Sequence, residues 1–235
     1  MLKKISLGLL AGLALASCGS LNLNQANIRI IHASPDVGAV DVYVGSKKLL
    51  TNVTYTQASA FSQVDPGNLI VKICPTSAAT TPPANCPIDT TNSPIVVTSG
   101  NSYTIVAVGT VANGTLQALV APDDLTVPQS GQFRLRVIHA APAATPVDVY
   151  ATTPTTDLST AVAAVSSFTY KSITVPYIGI PTGSYRFRIT NAGTKNVLID
   201  SGTTGFPLSN GKIYTAIAVN PMANVTNGLI LLIDN

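Results

Sequence analysis

The chain has 235 residues, of which 46% are hydrophobic and 10% charged, against roughly a quarter charged in an ordinary soluble domain; a disordered chain and a coiled coil are excluded. Its ten acids are all Asp, it has two His and no Trp, and most catalytic constellations therefore lack their residues. The formal charge of +3 falls to +1 once the two leader lysines are set aside, and no basic run points to nucleic acid.

The first apolar run reads as a targeting signal over residues 1–17. Lys3 and Lys4 form a positive start, Leu7 to Ala16 an apolar core of signal-peptide length, and small residues follow. As a membrane span the run is too short. It ends in Leu15-Ala16-Ser17-Cys18, which resembles the lipobox of bacterial lipoproteins: cleavage before Cys18 leaves a thiol and an amino group to carry acyl chains such as palmitate. The other reading is an ordinary secretory signal with Cys18 incidental. Acylation implies firm membrane attachment, since each buried CH₂ contributes about 0.8 kcal/mol, with residues 18–26 as the tether. Gly19 after the Cys gives no inner-membrane retention signal, so the expected location is the outer membrane or cell surface.

Cys74 and Cys86 then remain as an even pair in an exported chain, which reads as a disulfide closing a short loop. In the entropic model such a loop is worth about 3 kcal/mol. A metal site is the alternative, but it lacks further ligands, the nearest His lying more than forty residues away in sequence.

The mature sequence is written twice. Arg29-Ile-Ile-His32-Ala-Ser-Pro35 recurs as Arg136-Val-Ile-His139-Ala-Ala-Pro142, and Val40-Asp41-Val42-Tyr43 as Val147-Asp148-Val149-Tyr150. Leu69-Ile-Val-Lys-Ile73 matches Tyr185-Arg-Phe-Arg-Ile189, and Tyr103-Thr-Ile-Val-Ala-Val108 matches Tyr214-Thr-Ala-Ile-Ala-Val219. Two modules are expected, 27–126 and 132–235, joined by a linker at 127–131 bounded by Pro128 and Gly131. Short runs rich in Val and Ile, separated by Gly, Pro and Asn, predict an all-β fold of two tandem antiparallel β-sandwiches, immunoglobulin-like.

Alternation places Phe133, Leu135, Val137 and His139 inward and Arg134, Arg136 and Ile138 outward. Val40, Val42 and Val44 are expected inward, Asp41 and Tyr43 outward, with Asp148 and Tyr150 repeating them. If the first two strands of each module form a hairpin, Arg29 with Asp41 and Arg136 with Asp148 lie diagonally as exposed ion pairs, each worth a few tenths of a kcal/mol.

The His-Ala-Ser-Pro-Asp run at 32–36, Val-Asp-Val-Tyr at 40–43, the Pro66-Gly67 turn, the Tyr103 strand and their second set resemble domain of unknown function family 4397. The resemblance implies exported bacterial β-domains, often lipoproteins and often in tandem, and it supplies no activity. The second set departs from the first: Ala141 stands where Ser34 does and Ala143 where Asp36 does.

His32 and His139 are the candidates for a general base or metal ligand. On an apolar face entering a Pro turn, each reads better as a structural His bonded to loop backbone. A triad of Ser34, His32 and Asp41, or a metal site of His32, Asp36 and Asp41, fails because alternation turns Asp41 away. No catalytic residue, metal or cofactor is therefore expected. Residues 18–131 hold four basic and six acidic side chains, and residues 132–235 seven and four. Arg134 and Arg136 share a strand face, as do Arg186 and Arg188; such pairs are either solvated or bind carboxylate or phosphate groups. Tyr43, Tyr55, Tyr150, Tyr170 and Tyr177 make only a weak case for sugar stacking without Trp. The expected function is that of a lipid-anchored envelope component with a structural or binding role and an envelope protein or polysaccharide as partner. The alternative is an adhesion or ligand-binding protein that meets an anionic polymer or glycan through the second module's Arg face. A hydrolase or metal-dependent enzyme ranks third.

Overall fold

The computed structural model describes residues 24–142, 146–220 and 228–235. Cys18, the leader and Ala143 lie outside them. The described residues form strands and no helix, as the Val- and Ile-rich runs between Gly and Pro turns dictate.

The first half contains β1 (Ala26–His32), β2 (Val40–Val44), β3 (Lys47–Val53), β4 (Ser62–Val64), β5 (Gly67–Leu69), β6 (Val71–Pro75), β7 (Ile88–Asp89), β8 (Ile95–Val97), β9 (Ser102–Val108) and β10 (Gln117–Asp123). One sheet runs β10-β9-β1-β4, a second runs β3-β2-β6-β7, and β5 pairs with β8. The second half contains β11 (Gln132–His139), β12 (Val147–Thr152), β13 (Val165–Phe168), β14 (Ile178–Pro181), β15 (Gly183–Asn191), β16 (Val197–Asp200), β17 (Phe206–Leu208), β18 (Ile213–Ala218) and β19 (Leu229–Ile233). Its sheets run β14-β11-β18-β19 and β13-β12-β15-β16, with β17 on the start of β15. The strand order of the first half is thus found again in the second.

Two expectations need correcting. The sandwiches are not wholly antiparallel: β1 pairs with β9 in parallel, and β11 with β18 likewise. Nor do the first two strands of a module form a hairpin. After Ala33 the chain turns at Ser34-Pro35 and crosses to the other sheet, so β1 and β2 lie in different layers. Arg29 and Asp41 therefore never meet, and the same holds for Arg136 and Asp148.

Alternation along β1 sends Ile28 and Ile30 into a core with Val40, Val42, Val71, Ile73, Ile105 and Ala107. The matching core of the second half gathers Phe133, Leu135, Val137, Val149, Phe187, Ile189 and Ala216. A third apolar cluster joins the halves: Ile31, Ala33, Val106, Val108 and Ala121 pack against Ile138, Ala140, Ile217, Val219 and Ile230. The face expected to meet solvent is thus buried against the other half. That is why β1, β9, β11 and β18 read as near-continuous apolar runs, the pattern of strands covered on both sides.

Candidate functional site

His32 is 1% exposed. Its Nε2 lies 2.7 Å from the Gly38 carbonyl, and its Nδ1 accepts the Ser34 N–H at 3.3 Å. A carbonyl partner requires Nε2 to donate, which fixes the neutral tautomer and engages both ring nitrogens. Burial pushes the imidazole below its ordinary pKa, outweighing the Gly38 carbonyl. The Ser34 hydroxyl donates to the Gly109 carbonyl at 2.8 Å. Asp36 accepts the N–H groups of Val111 and Ala112 at 2.9 and 3.0 Å. Together they tie the β1–β2 turn to the β9–β10 loop. His139 Nδ1 accepts the Ala141 N–H at 3.3 Å, and its ring stacks on Phe168 with centroids 6.3 Å apart.

Asp41 and Asp148, expected on the surface, are 0% and 6% exposed. Each clamps a bulge in the neighbouring strand. Asp41 accepts the N–H of Asn52 at 2.9 Å, and Asp148 that of Ser167 at 2.8 Å. Asn52 and Ser167 have φ of 55° and 51°, and the strand register breaks beside them. A side chain with φ in this region costs of order 1–3 kcal/mol, which the carboxylate bond offsets. Asp41 also accepts Lys48 Nζ at 2.7 Å and the Ser77 N–H at 3.1 Å. Burial works to raise its pKa, but the Lys48 ammonium and these N–H groups hold it down to about 2. The Cys74–Cys86 disulfide closes the 75–85 segment, whose Ser77 N–H meets Asp41 and whose Ala79 carbonyl accepts the Tyr43 hydroxyl at 3.0 Å. The disulfide reading of these two cysteines thus holds.

The most densely connected polar cluster described lies between the two halves, and it absorbs Arg136, one of the candidate arginines, together with Arg29. Arg29 and Arg136 are 3% and 0% exposed. Arg29 Nε donates to Thr104 at 2.8 Å and Nη2 to Asp234 at 2.6 Å. Arg136 Nε donates to Thr215 at 3.0 Å and Nη2 to Asp123 at 2.6 Å. Thr104 donates to Asp123 and Thr215 to Asp234, both at 2.7 Å. Arg136 also reaches across to Thr104 at 3.1 Å, and Arg29 to Thr215 at 3.5 Å. Phe61 caps the Arg29 guanidinium and Tyr177 that of Arg136, 4.9 and 5.0 Å from ring to carbon. Each module's Arg thus takes its carboxylate from the other module, Asp123 at the end of β10 and Asp234 just past β19, about a local pseudo-twofold. Burial raises the Asp123 carboxyl against the pull of Arg136, Thr104 and Arg29.

Further along the same interface, the Tyr55 hydroxyl donates to the Asn220 carbonyl at 2.7 Å, and Tyr170 lies against the Gly109 backbone. Burial lifts the Tyr55 phenol to about 12.

The other arginines of the expected face are also held. Arg134 pairs with Asp124 and Arg186 with Asp200. Arg188, 5% exposed, bonds the Thr152 hydroxyl at 2.8 Å and the Thr156 carbonyl at 2.9 Å. Among the described residues no cluster of three His, Cys, Asp or Glu side chains is placed to hold a metal.

A family model described as Domain of unknown function (DUF4397) matches residues 26–150. The protein belongs to the DUF4397 family. The matched stretch runs from the start of β1 into β12, so it contains the first sandwich, β11 and most of β12. No curated protein matches the chain. Two solved structures resemble it distantly. The Bacillus anthracis TIE protein is 13% identical, with 83% of this chain and 34% of that one covered at a TM-score of 0.25. A leucine-rich repeat protein from Bacteroides thetaiotaomicron VPI-5482 is 13% identical, with 85% and 26% covered at a TM-score of 0.21. The chain spans about a third or less of either one, and such scores carry no argument about fold or function.

Within this DUF4397 chain, sequence reasoning missed Thr104, Thr215, Asp123 and Asp234. A signal was present: Thr104 and Thr215 stand 111 residues apart, and so do Asp123 and Asp234. Polar residues recurring in register inside apolar strands mark a shared structural task.

Proposed function

We propose that this is a lipid-anchored protein of the bacterial cell envelope, built from two tandem DUF4397 modules, with a structural or partner-binding role and no catalytic one. The observation that carries the reading is where its ionisable side chains are spent. Both nitrogens of His32 serve loop backbone, Asp41 and Asp148 serve bulges, and Arg29, Arg136, Asp123 and Asp234 join one module to the other. Such an arrangement favours a rigid body over a reactive site.

The anchor rests on the Leu15-Ala16-Ser17-Cys18 run. β1 starts at Ala26, eight residues after Cys18, and ends at His32. An anchored chain therefore enters the first module at the end of β1 opposite the Ala33–Gly38 turn. The outer membrane or cell surface is the proposed location.

Fractionating cells that express the native chain and its Cys18→Ser variant tests this. The native protein should sediment with membranes and require detergent, while the variant should be recovered soluble. Equal partitioning of the two overturns the anchor.

A further inference from the structure

In the first module the outer face of the β2-β6-β7 layer balances its charge locally. Lys72 on β6 lies opposite Tyr43 on β2 and opposite Asp89 on β7, and its ammonium meets Asp89 at 2.9 Å. The second module repeats this geometry on β12, β15 and β16: Arg188 lies opposite Tyr150 and opposite Asp200. There, however, Asp200 is taken by a different cation. Arg186, standing where the first module has the apolar Ile70, bonds both Asp200 oxygens through Nε and Nη2.

Arg188 is left without its carboxylate. Its bonds are those of Nη2 to Thr152 and Thr156, its Nε is buried without an acceptor, and among the described residues no acid lies within ion-pair distance of it. Burial and the neighbouring Arg186 both press its pKa below the ordinary value, and the nearest other charges, Asp200 and Asp157, only partly compensate. A buried guanidinium whose Nε lacks an acceptor, beside a second guanidinium, is a poor resting state, since an unpaired buried charge is costly.

We propose that Arg188 is a binding residue for a carboxylate brought by a partner molecule. The carboxylate would meet the Nε edge of Arg188 beside Arg186, completing the kind of pair that Asp89 makes with Lys72. A planar guanidinium edge matches a carboxylate's two oxygens, and the equivalent charge of the first module is met by a carboxylate. Arg188 Nε has no exposed surface of its own, so the carboxylate reaches it by displacing the Arg186–Asp200 pair beside it, whose side chains keep 19% and 32% of their surface. The assignment deepens the partner-binding side of the proposed function, but it stands whether or not Cys18 carries lipid.

The chain has five arginines, so selective ¹⁵N labelling of the detergent-solubilised protein gives five Nε–H signals, assignable by substitution. Sodium acetate is titrated at constant ionic strength, with chloride as the reference salt and inorganic phosphate as a second probe. The Arg188 signal should shift saturably with acetate, and any saturable shift of the neighbouring Arg186 signal should vanish in Arg188→Gln. In Arg186→Ile, which restores the first module's pattern and returns Asp200 to Arg188, apparent acetate affinity should fall by about tenfold or more while the Arg188 signal persists. A linear drift common to acetate and chloride, or unchanged saturation in Arg186→Ile, overturns the site. Saturation by phosphate without saturation by acetate overturns the carboxylate assignment.

Discussion

Replacing Arg136 with Met keeps much of the side chain's volume and removes its charge from the centre of the inter-module network. The Asp123 side chain, 0% exposed, then loses its partner at 2.6 Å and retains only the Thr104 hydroxyl at 2.7 Å and Arg29 at 3.9 Å. Removing one partner of a buried ion pair costs about 3–5 kcal/mol, because the other charge stays buried without compensation. That is a large share of the roughly 5–15 kcal/mol by which a protein is stable, so urea unfolding followed by circular dichroism resolves it. The Arg136→Met, Asp123→Leu double variant should recover most of the loss, since neither charge is then stranded. A loss below about 1 kcal/mol in the single variant, the value of an exposed pair, would refute the reasoning and mean that water reaches the network.

Arg29→Met should destabilise by a similar amount through Asp234, and its combination with Arg136→Met should be non-additive because the two arginines share Thr104 and Thr215; strict additivity in unfolding free energies would count against one connected network. Reducing the Cys74–Cys86 bond should cost about 3 kcal/mol and free the segment over Tyr43, seen as a lower melting temperature with reductant; an unchanged melting curve contradicts this. Asp41 has its pKa depressed in the folded state, so its contribution is complete above the unfolded value of about 4 and fades as pH falls toward about 2. The acid limb of the stability–pH curve should therefore flatten in Asp41→Asn. Gly109 has φ +97° and would bring a Cβ to 2.2 Å from the Thr115 carbonyl oxygen; Gly109→Ala should destabilise by at least about 1–3 kcal/mol, checked by thermal unfolding.

The all-β class, the repeated strands and the disulfide were legible because each leaves a local mark: apolar alternation, turn residues, and an even cysteine pair behind an apolar leader-like run. The two histidines were also legible, since a single His entering a Pro turn from an apolar strand has loop backbone as its nearest partner. What alternation could not supply is the layer beyond a strand's outer face. Arg29, Arg136, Asp41 and Asp148 all occupy polar positions in period-2 strands, and period 2 says which face a side chain takes but not whether another sheet or a loop covers it. Arg29 and Arg136 are covered by the opposite module, Asp41 and Asp148 by bulges and loops. The parallel pairing of β1 with β9 was hidden for a related reason, as partners some seventy-five residues apart, such as Asn27 and Ser102, leave no turn between them to read.

Attachment of the protein to the envelope by lipid at Cys18 is read from the intact mass of the protein extracted gently from its native envelope. The extracted chain should begin at Cys18 and carry the added mass of acyl groups, with the Cys74–Cys86 bond intact. A mature chain without acyl mass, or one that still carries its first seventeen residues, would contradict it.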